Sequence, residues 1–229
     1  SHMVAGEIRR RFGLPEPKLH VIYNGVDTEA FHPRLKREHR AAMRLRLGIP
    51  ESAPVLLVVG SGFERKGVGR LVAALAAMPE RDARLVVVGR DKAEGAFRRE
   101  ARTLGVAERA HFAGPQQDVR PWYGLADAFA LPTLYDPFPN AALEALACGL
   151  PIATSVQSGA AELVREGANG MVCDALDGAG ITRACSTVLR LGRDPIAQVA
   201  ARSAAEPLSL EAMARRLIDL YETLLSHGC

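Results

Sequence analysis

Asp136 and Glu144 stand at the two ends of Asp-Pro-Phe-Pro-Asn-Ala-Ala-Leu-Glu, with seven residues between them. The proline-rich start places Asp136 just ahead of a helix N-terminus and Glu144 inside the helix, about two turns along. Pro137 and Pro139 have no N–H, so backbone donors to an anion there come from Phe138, Asn140 and Ala141. Glu144 lies in an otherwise apolar run, Ala-Ala-Leu-Glu-Ala-Leu-Ala-Cys-Gly. A carboxylate in that company needs a partner, because burying it alone is costly. Taken singly, Asp136 reads as a cap or turn residue and Glu144 as an ordinary helix glutamate. Together they suit an elongated anionic ligand with hydroxyls at both ends, such as a nucleotide sugar.

A second group of chemistry-bearing residues is Gly60-Ser61-Gly62-Phe63-Glu64-Arg65-Lys66-Gly67. A dinucleotide fingerprint requires its third glycine two residues before Gly67, and a phosphate-binding Walker loop requires Lys and Ser or Thr where Val68 and Gly69 stand. Both motifs fail. What remains is a flexible turn with Arg65 and Lys66 at a helix start, where N–H groups and the dipole already favour anions. Two cations there oppose the dipole unless a diphosphate lies between them; a solvated pair at a helix end is the plainer reading. In Gly114-Pro115-Gln116-Gln117-Asp118-Val119, Asp118 is placed to cap a helix. The same turn exposes backbone groups around Pro115 and Gln116 that could read the edge of a base, and both readings stand.

These residues need a scaffold that brings strand ends together. Val55–Val59, Leu85–Val88, Ala128–Leu131, Pro151–Thr154 and Gly170–Cys173 read as buried strands, with His111–Ala113 a weaker one. Helical patterns alternate with them near Gly67–Ala77, Ala93–Leu104, Val119–Leu125, Asn140–Cys148 and Ala160–Arg165. Strict alternation implies right-handed crossovers and a doubly wound parallel α/β sheet of about six strands. In such a sheet, ligands bind outside the carboxyl ends of the strands. Ahead of this unit, Lys18–Tyr23 reads as a further strand, Asn24–Asp27 as a turn and Arg34–Leu47 as a basic helix. After it come helices near Asp177–Leu191, Ile196–Ala204 and Ser209–Leu225, the last with an apolar stripe of Leu210, Met213, Leu217, Leu220 and Leu224.

Composition narrows the classes. The net charge of +3 over 229 residues suits a small anionic ligand, and no basic surface interleaved with aromatics argues for nucleic acid. Cys148, Cys173, Cys185 and Cys229 lack metal or redox spacing and read as reduced thiols of a cytoplasmic protein. The histidines do not sit in strand-end loops, so none is assigned to catalysis. No apolar run reaches membrane-spanning length. The helix around Arg34–Arg46 reads as a solvated face, with a peripheral contact to an anionic membrane surface as its alternative. Ser1-His2-Met3 looks like the remnant of an expression tag, which predicts a piece of a longer protein.

With these residues assembled, the chain resembles the C-terminal, donor-binding half of a retaining glycosyltransferase of family 4, a GT-B fold built from two Rossmann-like domains. The likeness runs through Val21–Asp27 with Phe31 and Pro33, Gly62–Gly67, Gly114–Val119, Asp136–Glu144, Gly149–Pro151 and Ser158–Gly170. Arg65–Arg70 and Val88–Lys92 point within that family to lipopolysaccharide core synthesis. The resemblance implies that Arg65 and Lys66 bind the donor diphosphate, with Gly62 letting the backbone approach it. Gly114, Pro115, Gln116 and Val119 would hold the base, and Glu144 the ribose hydroxyls. Asp136 would engage the sugar, with Phe138, Asn140 and Ala141 completing the pocket. Asp136, Lys66 and Arg65 would then stand at the chemistry. The family usually carries Glu at position 136 and Gly at 139. The shorter carboxylate and the missing N–H bear on which sugar is transferred.

The organisation implied is a tag remnant at 1–3, an interdomain segment with a basic helix over 4–50, a donor-binding domain over 51–206 and a crossover helix over 207–229. The donor expected is UDP-glucose, with neither metal nor cofactor required. The partners expected are an N-terminal acceptor-binding domain in cis and a lipid-linked or glycan acceptor, and without that domain the chain is expected to turn over poorly. Two other classes share the fold expectation: a NAD-dependent oxidoreductase domain, which the glycine spacing disfavours, and a non-catalytic nucleotide-binding or partner module.

Overall fold

The computed structural model describes residues 1–227; Cys229 lies outside the described residues. Six strands form one sheet: Val55–Val59 (β1), Arg84–Val88 (β2), Ala110–Gly114 (β3), Ala128–Leu131 (β4), Ile152–Ser155 (β5) and Gly170–Cys173 (β6). Their order is β3-β2-β1-β4-β5-β6 and every pairing is parallel. The central strands β2, β1 and β4 are largely apolar on both faces because helices cover both, β5 ends in the buried, hydrogen-bonded Thr154 and Ser155, and Leu57, Leu85, Phe129 and Ile152 are fully buried. The order reverses between β1 and β4, so the crevice outside their carboxyl ends is the topological switch point where such sheets take ligands.

The helices are His2–Phe12 (α1), Arg34–Leu47 (α2), Phe63–Lys66 (α3), Val68–Ala77 (α4), Glu94–Thr103 (α5), Arg120–Leu125 (α6), Asn140–Ala147 (α7), Gly178–Leu191 (α8), Pro195–Ala205 (α9) and Leu210–His227 (α10). Three sequence expectations need correction. Lys18–Tyr23 is not a strand: Glu16–Lys18 is a 3-10 turn and the residues after it run on without a sheet partner. The segment pairs with neither edge strand, β3 or β6, so its β-rich composition forms no ladder. Ala160–Arg165 is not an α-helix but a 3-10 stretch over Gly159–Leu163, opened by Ser158, whose hydroxyl accepts from the Ala160 N–H. Residues 2–12, with the tag-like Ser1 as their cap, form a helix that the sequence reading did not contain.

The basic helix α2 is not a solvated face along its whole length. Arg44 is 2% exposed. Its guanidinium donates to the carbonyls of Glu51 and Ala53, both at 2.9 Å, and to Asp127 Oδ2 at 3.0 Å. Asp127, itself buried at the entry to β4, also accepts from Arg40 Nη1 at 2.8 Å and from the Val55 N–H at 2.9 Å, with Lys36 Nζ at 3.5 Å. One buried carboxylate thus gathers three cations of α2 and the first residue of β1. Arg46, by contrast, is exposed and lies over the Trp122 ring at 5.2 Å. Among the described residues, no helix is long and apolar enough to cross a membrane.

Val26, in the turn that the sequence places at Asn24–Asp27, pairs with Ser209 just ahead of α10. The Val26 N–H donates to Leu208 O at 2.9 Å and the Leu210 N–H to Val26 O at 3.1 Å. Gly25 is required beside it, because a Cβ there would lie 2.8 Å from Leu210 Cα.

Candidate functional site

The loops after β1 and β4 meet at the switch point. Gly62 and Gly67 both take left-handed backbone, with φ 78° each, and they bound the single turn α3. At Gly67 a side chain is excluded as well, since its Cβ would lie 2.3 Å from Pro132 O. The expected Gly67–Ala77 helix is α4, and Gly67 parts it from the additional single turn α3 ahead of it. Arg65 and Lys66 form the end of the single turn α3 and stand directly ahead of α4, whose N-cap is Gly67, so the pair lies at a helix start as the sequence places it. The two loops are stitched through Arg65 O, which accepts from the Leu134 N–H at 2.8 Å and from Thr133 Oγ1 at 2.9 Å.

Both cations converge on Asp136. Lys66 Nζ donates to Asp136 Oδ2 at 2.5 Å, and Arg65 Nη1 lies 3.4 Å from the same oxygen while donating to Tyr135 O at 2.9 Å. Lys66 and Asp136 are 9% and 8% exposed, whereas half of the Arg65 side chain faces solvent. The Lys66 stem passes directly over Gly60, whose missing Cβ would sit 3.2 Å from Lys66 Cε. Asp136 is held by its backbone: its N–H donates to Gln157 O at 3.1 Å, and its carbonyl accepts from the Gly159 N–H at 2.9 Å.

The β2 loop braces the same turn. Gly89 lies so close that a Cβ on it would fall 2.0 Å from Gly60 O, and Asp91 Oδ2 accepts from the Phe63 N–H at 2.6 Å. Ser61, Gly62, Arg90, Asp91 and Lys92 line an open cleft of about 670 Å³ beside it. Asp91 contributes nothing to the candidate set from sequence alone; a carboxylate shortly after the Val-Val-Val-Gly strand end is the signal that could have found it.

Helix α7 begins without a side-chain cap, which leaves its first-turn N–H groups facing the crevice end of β4. The rings of Phe138 and Tyr23 lie 4.9 Å apart, and Asn140 Oδ1 accepts from Asn24 Nδ2 at 2.8 Å, so the segment ahead of α2 supports this helix start. Two turns along, Glu144 has the partner its apolar surroundings demand. Tyr123 of α6, almost wholly buried, donates its hydroxyl to Glu144 Oε2 at 2.6 Å and also lies 3.2 Å from Ala141 O. Tyr123 was missed from sequence; a tyrosine in an apolar helix needs a partner for its hydroxyl, just as Glu144 needs one for its carboxylate.

Burial raises the Glu144 carboxyl above its ordinary value, and the Tyr123 hydrogen bond opposes that shift. Between the ordinary and the raised value, the folded protein holds more protons than the unfolded chain, so this group's contribution to stability falls as pH climbs through that window. Glu144→Gln is accordingly expected to melt higher than the parent at about pH 7, with the gain shrinking towards about pH 4. Thermal melts at both pH values check this, and a variant less stable at the higher pH would contradict it.

The 114–119 turn follows β3, with Gly114 left-handed at φ 70° and Gly114 O accepting from the Gly89 N–H at 3.0 Å. Pro115 and Gln117 are exposed, while Gln116 Nε2 donates to Ala113 O at 2.8 Å. Asp118 is not the cap of α6, whose N-cap is Val119; it stands one residue ahead, accepts from the Arg120 N–H at 3.0 Å, and has both its oxygens held by the Arg120 guanidinium at 2.8 Å. That pairing holds the Asp118 carboxyl below its ordinary value. The side chain is thereby committed, and the exposed backbone around Pro115 is what the turn offers to a ligand.

Arg65, Lys66 and Asp136 are therefore in direct contact; Phe138 follows just ahead of α7, and Asn140, Ala141 and Glu144 lie on it. No hydrogen bond among the described residues ties the 114–119 turn to Asp136 or Glu144. It reaches the rest of the site through Gly89 on one side and through α6 with Tyr123 on the other. The arrangement presents two cations against one carboxylate, an uncapped helix start and, two turns along that helix, a second, half-buried carboxylate.

Comparison with known proteins identifies the family and the fold. The family described as "Glycosyl transferases group 1" matches residues 53–190. The D-inositol 3-phosphate glycosyltransferase of Xylanimonas cellulosilytica is 31% identical over 226 residues, 95% of this chain and 54% of that protein. The crystal structure of WaaG, a glycosyltransferase involved in lipopolysaccharide biosynthesis, superposes with a TM-score of 0.80 at 26% identity, covering 94% of this chain and 60% of WaaG. Anabaena HepE, solved in complex with UDP, shares the fold with a TM-score of 0.82 at 22% identity, over 93% of this chain and 59% of HepE. The chain spans about half the length of the curated relatives it matches. By the extent of these matches, the chain belongs to the group 1 glycosyltransferases and carries the Rossmann-like fold of their C-terminal GT-B domains.

Proposed function

We propose that this chain is the donor-binding part of a retaining, metal-independent glycosyltransferase that takes UDP-glucose and serves lipopolysaccharide core or other cell-surface glycan synthesis in the cytoplasm. The observation that carries the reading is the convergence of Lys66 and Arg65 on Asp136 at the switch point of the sheet. Two cations facing one carboxylate leave positive charge that a diphosphate offsets, and the uncapped start of α7 adds backbone donors. Glu144, held by Tyr123 through Oε2, keeps its other oxygen for the ribose hydroxyls. The exposed turn at Pro115 meets the base. In this arrangement the protein's part in the transfer is to stabilise the charge that develops on the departing nucleoside diphosphate and to orient the sugar with Asp136.

The lipopolysaccharide role draws on the kinship with WaaG, and the uracil base on a fold that holds UDP in HepE. The acceptor is assigned to a separate N-terminal domain in cis, in keeping with a chain that spans about half of its relatives. Calorimetric titration with UDP, UDP-glucose, GDP and NAD tests the reading. Saturable binding of UDP and UDP-glucose, with NAD silent, is expected. Absence of heat with every nucleoside diphosphate would remove the proposal, and preference for NAD would replace it with the oxidoreductase reading.

A further inference from the structure

The cation best placed to receive a diphosphate already has an anion. Lys66 Nζ is bonded to Asp136 Oδ2 at 2.5 Å, Arg65 leans on the same oxygen at 3.4 Å, and both members of the closer pair are almost wholly buried. Lys66 has one route for its stem, across Gly60. Asp136 cannot withdraw either. Its backbone is pinned on both sides, by Gln157 O and the Gly159 N–H, and the next residue is packed so that a Cβ on Gly159 would fall 1.9 Å from Pro137 O. The carboxylate can rotate about its own side-chain bonds, but it stays in the crevice.

From this we infer that Asp136 is a specificity-determining residue that competes with phosphate for Lys66 and so discriminates between a nucleoside diphosphate and its sugar-bearing form. The inference rests on the reading of the crevice as a nucleotide-sugar site. A bare diphosphate that draws Lys66 away from Asp136 leaves a buried carboxylate beside an anion with only the longer, half-exposed Arg65 contact to hold it. A nucleotide sugar displaces it equally, but brings hydroxyls that donate to the freed oxygens. The same residue therefore weakens binding of the product-like nucleotide and spares the donor. Once a sugar has been transferred, Asp136 is again free to reclaim Lys66, which drives the spent nucleotide out.

The test is calorimetry of UDP and UDP-glucose on the 229-residue chain. The parent is expected to bind UDP-glucose more tightly than UDP. Asp136→Asn, or Asp136→Ser should the first variant fold poorly, is expected to bind UDP at least about tenfold more tightly than the parent, with a smaller gain for UDP-glucose. Placed in a Lys66→Ala background, the same substitution is expected to lose its gain, because the competition it relieves no longer exists. Equal or weaker UDP binding by the position-136 variants would overturn the inference while leaving the site reading intact, as would a parent that binds UDP and UDP-glucose equally well. A parent that binds no nucleoside diphosphate would overturn both.

Discussion

Asp127→Ala is expected to remove about 3–5 kcal/mol of stability, out of the roughly 5–15 kcal/mol that a domain possesses. The size follows from what is left behind. Arg44, at 2% exposure, would keep its carbonyl partners but lose its nearer carboxylate, with only the exposed Glu51 left at 3.9 Å, and the Val55 N–H would lose its acceptor at the start of β1. Lys36 and Arg40 would lose the same counter-ion. Urea unfolding should show the loss as a lower midpoint at an unchanged slope. Asp127→Asn, which keeps an oxygen for Val55, is expected to fall between parent and Ala. Glu51→Ala is the internal control: its side chain is 70% exposed, and its contacts to Arg40 and Arg44 are expected to be worth less than about 1 kcal/mol. Equal losses for Asp127→Ala and Glu51→Ala would show that burial of the network carries no weight.

Lys66→Ala is expected to weaken UDP binding by about 10–150-fold, the equivalent of one charge-assisted contact of about 1.5–3 kcal/mol. Arg65 alone cannot replace it, because half of its side chain is in solvent and it is tied to Tyr135 O. Lys66→Arg is expected to recover little: the narrow passage over Gly60 fits an alkyl stem ending in a point charge, and a planar guanidinium needs more room. The loss should be seen by calorimetry, with the melting temperature recorded alongside, since Asp136 is left with only the longer contact to Arg65. A Lys66→Ala protein that is folded and binds UDP as the parent does would show that the diphosphate does not lie against this lysine.

Much of the frame is legible in the sequence, for a simple physical reason. The central strands are buried on both faces, so Val55–Val59, Leu85–Val88 and Ala128–Leu131 announce themselves as continuous apolar runs, and the residues after them point to the crevice. Glu144 is legible too, because a carboxylate in an apolar helix demands a partner. The identity of that partner is not, since Tyr123 lies on another helix and their meeting is a matter of packing. The division of α3 from α4 is hidden for the same reason: Gly67 must be left-handed and bare only because Pro132 O arrives from elsewhere in the chain. The basic helix misleads most. Lys36, Arg40 and Arg44 read as a solvated face by spacing alone, and only the placement of Asp127 opposite them turns three surface charges into a buried network. The segment over Lys18–Tyr23 has strand composition but pairs with neither edge of the sheet, which no local pattern reveals.

The contact between Gly60 and Gly89 has a practical meaning for anyone wishing to re-aim this protein at another ligand. The two turns touch backbone to backbone, and Asp91 reaches across to the start of α3, so neither has room to change shape while the other stays as it is. Loops borrowed from a relative are therefore best transplanted as a matched set, residues 60–67 together with 89–92. Exchanged one at a time, they would meet a neighbour cut to a different pattern.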